Sequence, residues 1–144
     1  MRRPGLLAWA HLVRVYNKMH RHEMDHLRCS DLTPAQFDVI AHLSAAPGIN
    51  QQELSERLFV TKGNICGLLD RLERDKLVER RDDPDDRRAH LLYLTEQGRK
   101  LAEKVVPEQE DFIDAHLSAM PEEDQRTLLA LLRDLDRSLE RHEH

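Results

Sequence analysis

The hydrophobic pattern of this chain changes period at one place. On either side of it apolar residues recur three and four apart, as on a helix face. Between residues 77 and 95, LVERR (77–81) and HLLYLT (90–95) flank RDDPDDRRA (81–89), and Asp83-Pro84-Asp85-Asp86 carries the chemistry of a tight turn. A two-stranded hairpin with a charged tip is therefore predicted inside an otherwise helical chain. Everything else must pack around it.

The helical segments are punctuated clearly. Pro4 opens a helix over 5–28, with Leu12, Val15 and Met19 on one stripe and Trp9, Val13 and Tyr16 on the next. Thr33-Pro34 caps a second helix, which stops at Pro47-Gly48; Asn50 with Glu53 reads as a capping box for a short third. After a break at Phe59-Val60, Thr61 can cap a fourth helix with Ile65, Leu68, Leu69 and Leu72 turned inward. Thr95 caps a fifth, which Pro107 should kink or interrupt, and Pro121 starts a sixth carrying Leu128, Leu129, Leu131, Leu132, Leu135 and Leu139.

Two short helices followed at once by a charged hairpin have the form of a winged helix-turn-helix. The predicted fold class is mainly α with a small β-hairpin, one domain over 1–144. It comprises an N-terminal dimerisation helix (5–28), a winged helix-turn-helix module (32–95) and C-terminal dimerisation helices (96–144). The outer helices carry more apolar surface than a module of this size can cover, so a homodimer is expected.

Composition narrows the function classes. Five Gly and six aromatics in 144 residues suit a helical chain with short connections. No run is long and apolar enough for a membrane span, and the start lacks a signal-peptide pattern, so a cytoplasmic protein without a membrane partner is expected. The net charge of −5 argues against a nonspecific nucleic-acid coat, yet its distribution is uneven. Residues 57–104 hold twelve Lys/Arg against ten Asp/Glu, whereas 105–144 hold four against eleven. A negative partner would meet the middle.

There the fourth helix presents Gly63, Asn64, Gly67, Arg71 and Arg74 opposite its apolar stripe. Each glycine costs a helix about 1 kcal/mol relative to Ala, which is easiest to understand if the backbone must approach a partner closely. A DNA major groove fits: Thr61 and the first-turn N–H groups can meet phosphate, while Lys62 and Asn64 can reach base edges. Arg87 and Arg88 on the hairpin suit a minor groove, with acidic neighbours able to fix a guanidinium's direction. The alternatives are a solvated amphipathic helix and a hairpin kept soluble by its charges.

The stretch 32–105, above all DPDDRRAHLLYLTEQG (83–98), resembles the MarR/SlyA family of bacterial transcription regulators. The resemblance implies a two-fold dimer, a recognition helix starting at Thr61, and an Asp86 that orients Arg88 at the wing tip. It also implies a repressor without enzymatic activity or required cofactor. Such proteins leave double-stranded DNA when a small, often phenolic or anionic, effector binds or a cysteine is oxidised. The implied pocket would involve Arg14, Asp38 and His42.

One motif points elsewhere. HEMDH (22–26) matches the H-E-x-x-H of zinc hydrolases, and His22 and His26 share a helix face. The longer form of the motif needs a glycine and a histidine where this chain has Cys29 and Leu32, so a hydrolase is not expected. A regulatory zinc site drawn from His22, His26, Cys29 and His42 is a second reading, and a thiol switch at Cys29 or Cys66 a third. An interaction module that has lost DNA binding is the remaining alternative.

Overall fold

Proline and threonine set the first helices. In the computed structural model, which describes residues 3–58 and 62–142 and only the backbone of Lys62, α1 (Pro4–Arg28) starts on Pro4, and α2 (Pro34–Ala45) starts on Pro34 behind a Thr33 cap. The capping box falls here: Gln36 N–H donates to Thr33 Oγ1 at 3.2 Å, and Thr33 N–H donates to Gln36 Oε1 at 3.0 Å. The box expected at Asn50 is only half formed. Asn50 Oδ1 accepts from Glu53 N–H at 2.7 Å, but the Glu53 carboxylate turns instead to Arg57, 3.0 Å away one helical turn on. The break at Phe59-Val60 and the Thr61 cap lie outside the described residues.

The remaining elements are β1 (Ile49–Asn50), α3 (Gln51–Arg57), α4 (Lys62–Arg74), β2 (Val78–Asp83), β3 (Asp86–Leu94), α5 (Glu96–Leu117) and α6 (Glu122–Glu140). The predicted hairpin is present, with strands reaching further toward its tip than expected. It also gains a third strand. β1 pairs antiparallel with β3, Ile49 opposite Leu92, giving the order β1-β3-β2. Gly48 at φ +84° makes the turn into β1 and donates its N–H to Leu92 O at 2.9 Å.

The chain divides into two compact units, Met1–Val105 and Val106–His144. The core of the first is built from α2, α3, α4 and the sheet, where Ile40, Leu43, Leu54, Ile65, Leu69, Leu72, Val78 and Leu92 are fully buried. α1 contributes only Leu27 to the buried set; Trp9 and Tyr16 of its second apolar stripe are 63% and 64% exposed. In the second unit, Gln125 Nε2 donates to Leu117 O and Met120 O, closing the end of α5 as α6 begins. No residue of α6 is buried, and its leucines lie open to solvent.

Pro107 lies inside α5 without interrupting it. Proline removes one backbone donor; Ala102, Val105 and Gln109 of the same helix are buried. Among the described residues, neither amide atom of the buried Gln109 finds a hydrogen-bond partner.

The start of α5 is tied to the start of β2. Thr95 N–H donates to Leu77 O at 3.0 Å, Thr95 Oγ1 donates to Lys76 O at 2.6 Å, and Gly98 N–H donates to Thr95 Oγ1 at 3.0 Å. A Cβ at Gly98 would stand 2.0 Å from Leu77 O. Neither backbone can give way without breaking the joint. Gly98→Ala should therefore destabilise the protein by about 3 kcal/mol in urea unfolding; a variant within about 0.5 kcal/mol of the parent would show that this contact is slack.

Candidate nucleic-acid interface

The apolar stripe of α4 fixes which of its residues face out. Ile65, Leu69 and Leu72 have no exposure and Leu68 is half-buried, so the helix is held by one side against the core. Gly63, Asn64, Gly67, Arg71 and Arg74 are all exposed, as the sequence predicted. A Cβ at Gly63 or Gly67 would meet nothing within 4 Å. The glycines are thus not required by packing inside the protein. With Ala35, Asn64, Leu68 and Arg71 they border a shallow concavity of about 460 Å³. Thr61, expected to open this helix, lies outside the described residues, as does the Lys62 side chain.

The wing is stiffened at its tip. Asp83 Oδ1 accepts from Asp85 N–H at 2.9 Å, an Asx turn across Pro84, and the pairing shifts register between Asp82 and Asp83. Asp86 does approach Arg88, but through the backbone: its Oδ1 accepts from Arg88 N–H at 3.0 Å. The resemblance implied that Asp86 orients Arg88. This contact fixes the backbone at Arg88, since a side chain two residues upstream on a strand reaches the N–H more readily than the end of the arginine. Arg87 and Arg88 are exposed. Behind them Arg81 lies over the Tyr93 ring, 4.0 Å from its centre.

A second concavity, about 380 Å³, opens between α3, α4 and β3, with Gln51, Cys66, Asp86, Arg88 and His90 among its lining residues. Cys66 is exposed and accepts a hydrogen bond at Sγ from Gln51 Nε2 at 2.9 Å. Cys29 is also an exposed free thiol, at the end of α1.

The remaining candidates lie apart from these concavities. Among the described residues no three His, Cys, Asp or Glu side chains converge to hold a metal, so His22, His26, Cys29 and His42 do not form a common ligand set. Helix geometry alone places His22 and His26 together; a third donor has to come from a neighbouring element, and none is suitably placed among those residues. Arg14 is exposed, and neither it nor Asp38 nor His42 lines the two concavities above.

Sequence reasoning missed what Asp38 does face. α1 packs against α2 with His20 and Glu23 on one side and Asp38 and His42 on the other, and His42 Nδ1 donates to Asp38 O at 2.8 Å. Burial pushes the Glu23 carboxyl above its usual range, and the Asp38 charge adds to this while His20 opposes it. Asp38 keeps an exposed edge, yet burial raises it too, with His42 and then His20 pulling it back. The Glu of HEMDH thus serves a helix–helix seam. Also missed was Arg80, which reaches α4. Its signal was an arginine two residues after the inward Val78, on the same strand face.

Residues 30–89 match the model of the MarR family. An HTH-type transcriptional regulator of Bacillus anthracis is 33% identical over 96% of this chain and 93% of its own length. The transcriptional regulator HosA of Escherichia coli O111:H- is 30% identical over 87% of this chain and 92% of its own. Among solved structures, the S. aureus MepR–DNA complex superposes with a TM-score of 0.84 at 28% identity, covering 91% of this chain and 97% of that one. The chain belongs to the MarR family of transcriptional regulators. Among the described residues no helix is long and apolar enough to cross a membrane.

The seam has a pH signature whose sign is fixed. Both carboxyls are raised in the folded protein, so the proton stabilises the fold: that contribution is complete below the ordinary carboxylate range and is lost as pH climbs through the raised values. Neutral Glu23→Gln and Asp38→Asn variants should therefore be more stable than the parent at pH 7, with the advantage shrinking toward pH ~4. Urea midpoints across that range decide it. An advantage that is absent at pH 7, or independent of pH, would remove the electrostatic account.

Proposed function

We propose that this protein is a homodimeric DNA-binding repressor. In this reading α4 lies in the major groove of each half of a pseudo-palindromic site and the β2–β3 wing reaches the flanking minor groove. The observation that carries the reading is the outward face of α4, where Gly63 and Gly67 stand beside exposed Asn64, Arg71 and Arg74 with no packing need for either glycine. Asn64 has the donor–acceptor pair that matches adenine, and the wing arginines suit the negative potential of a narrow minor groove. Support comes from relatives of similar architecture: MepR was solved as a DNA complex, and a mutant E. coli MarR, with a TM-score of 0.82 at 28% identity, was complexed with operator DNA. The exposed apolar faces of α1 and α6, each considered alone, supply what a second copy would cover.

Release by a small phenolic or anionic effector, with no required cofactor, completes the reading. Arg14, Asp38 and His42 remain its candidate contacts. Such a ligand would act by its different affinity for two arrangements of the dimer.

Two substitutions test the DNA contacts against a duplex selected by the wild-type protein from a random-sequence pool. Arg88→Ala should bind more weakly and reduce the slope of log affinity against log salt by about 1, as loss of one phosphate-region cation does. An unchanged affinity would favour a module that does not read DNA through its wing. Gly67→Ala should stabilise the fold by about 1 kcal/mol and yet weaken binding. If it stabilises the protein and binds as well as the parent, close backbone approach is not why α4 carries that glycine.

A further inference from the structure

Arg80 stands on β2 on the same face as the buried Val78, so a guanidinium looks into the winged module rather than out of it. Its Nη1 lies 2.8 Å from Asp70 Oδ1 and 3.3 Å from Glu73 Oε2, and Nη2 donates to the Cys66 carbonyl at 3.4 Å. The side chain keeps 20% of its exposure, against 58% for Asp70 and 44% for Glu73. Cys66, Asp70 and Glu73 follow one another up a single edge of α4. That edge adjoins the outward face of Gly63, Gly67 and Arg74. One strand residue thus grips the helix at two successive turns, beside the surface assigned to DNA.

We propose that Arg80 is a positioning residue: its fork sets the angle between α4 and the β2–β3 hairpin, and with it the register between major-groove and minor-groove contacts. The proposal rests on the DNA-reading function above. Three features favour orientation over simple stability. Among the described residues the buried Nε–H finds no acceptor, so the arginine carries a desolvation cost that a fixture chosen for stability would avoid. Both carboxylates remain half in water, so each can be hydrated when the arginine is removed. And the two Nη groups reach different turns of α4, which the single ammonium of a lysine cannot do.

The test compares Arg80→Met, Arg80→Lys and Arg80→Met combined with Asp70→Asn and Glu73→Gln, again on the duplex selected by the wild-type protein. Arg80→Met should keep an unfolding midpoint near the parent while losing affinity on the order of tenfold. Its salt slope should stay that of the wild type, because no phosphate contact is lost. Arg80→Lys, keeping the charge without the fork, should show a smaller loss in the same direction. The triple variant should not recover.

Wild-type affinity in Arg80→Met overturns the proposal. A salt slope lower by about 1 makes Arg80 a phosphate contact instead. Full recovery in the triple variant reduces its role to masking two acidic residues. If the wild-type protein selects no sequence, it is the DNA reading that fails; Arg80 is then judged by hydrogen exchange. Faster exchange along 78–83 and 86–94 in Arg80→Met supports the grip, and unchanged exchange overturns it.

Discussion

The carbonyl of Leu77 accepts the N–H of Thr95 and leaves no room beside Gly98, so the residue that begins the wing also fixes where α5 begins. Thr95 strengthens the arrangement by donating to Lys76 O while its own oxygen caps the first turn of α5. Lys76, at φ +61°, accepts a left-handed backbone to make the turn from α4 into β2. Three elements converge on these few atoms. A wing rooted in a close backbone contact of this kind cannot slide along its strands without separating α5 from the sheet. That gives a physical reason for the end of the DPDDRRAHLLYLTEQG run: Thr95 caps α5 and ties it to Lys76, and a Cβ at Gly98 would meet Leu77 O.

Electrostatics refine this frame. The protein is acidic overall, yet the surface assigned to DNA carries both signs. Asp70 and Glu73 share Arg80, while Asp83 and Asp86 spend carboxylate oxygens on backbone N–H groups of the tip. Four acidic residues on α4 and the wing are thereby engaged locally, while Arg71, Arg74, Arg87 and Arg88 stay exposed. Net charge is a poor guide to what such a face can bind. The relevant quantity is which charges are already satisfied.

Much of this was legible in the sequence, for a definite reason. Pro4, Pro34 and Thr95 are local signals, and the stripe of Ile65, Leu69 and Leu72 is a period, so helix starts and the orientation of α4 follow without tertiary knowledge. What escaped depends on distant partners. A strand of two residues, Ile49–Asn50, has no period and exists because Leu92 of β3 lies opposite. Glu53 matches the capping-box pattern but has Arg57 available one turn on. The HEMDH run satisfies a metal motif by spacing, yet its glutamate is half-buried toward Asp38, which only the packing of α1 on α2 could reveal. Arg80 was passed over because a charge in a charged hairpin looks like surface until the inward register of Val78 is followed two residues further.

Two joints within the first unit differ in the kind of contact that makes them. At Leu77 and Gly98 the contact is backbone on backbone, with no side chain free to adjust. At the α1–α2 seam it is a pair of carboxyls, each disfavoured as an anion by burial, with histidines from both helices placed to oppose that penalty. Anything that adds a proton, or places a hydrogen-bond donor against either carboxylate, lowers the free energy of that seam, while it changes nothing at the first joint. The contact of α1 with α2 therefore responds to pH, whereas the backbone joint at the root of the wing holds no titratable group.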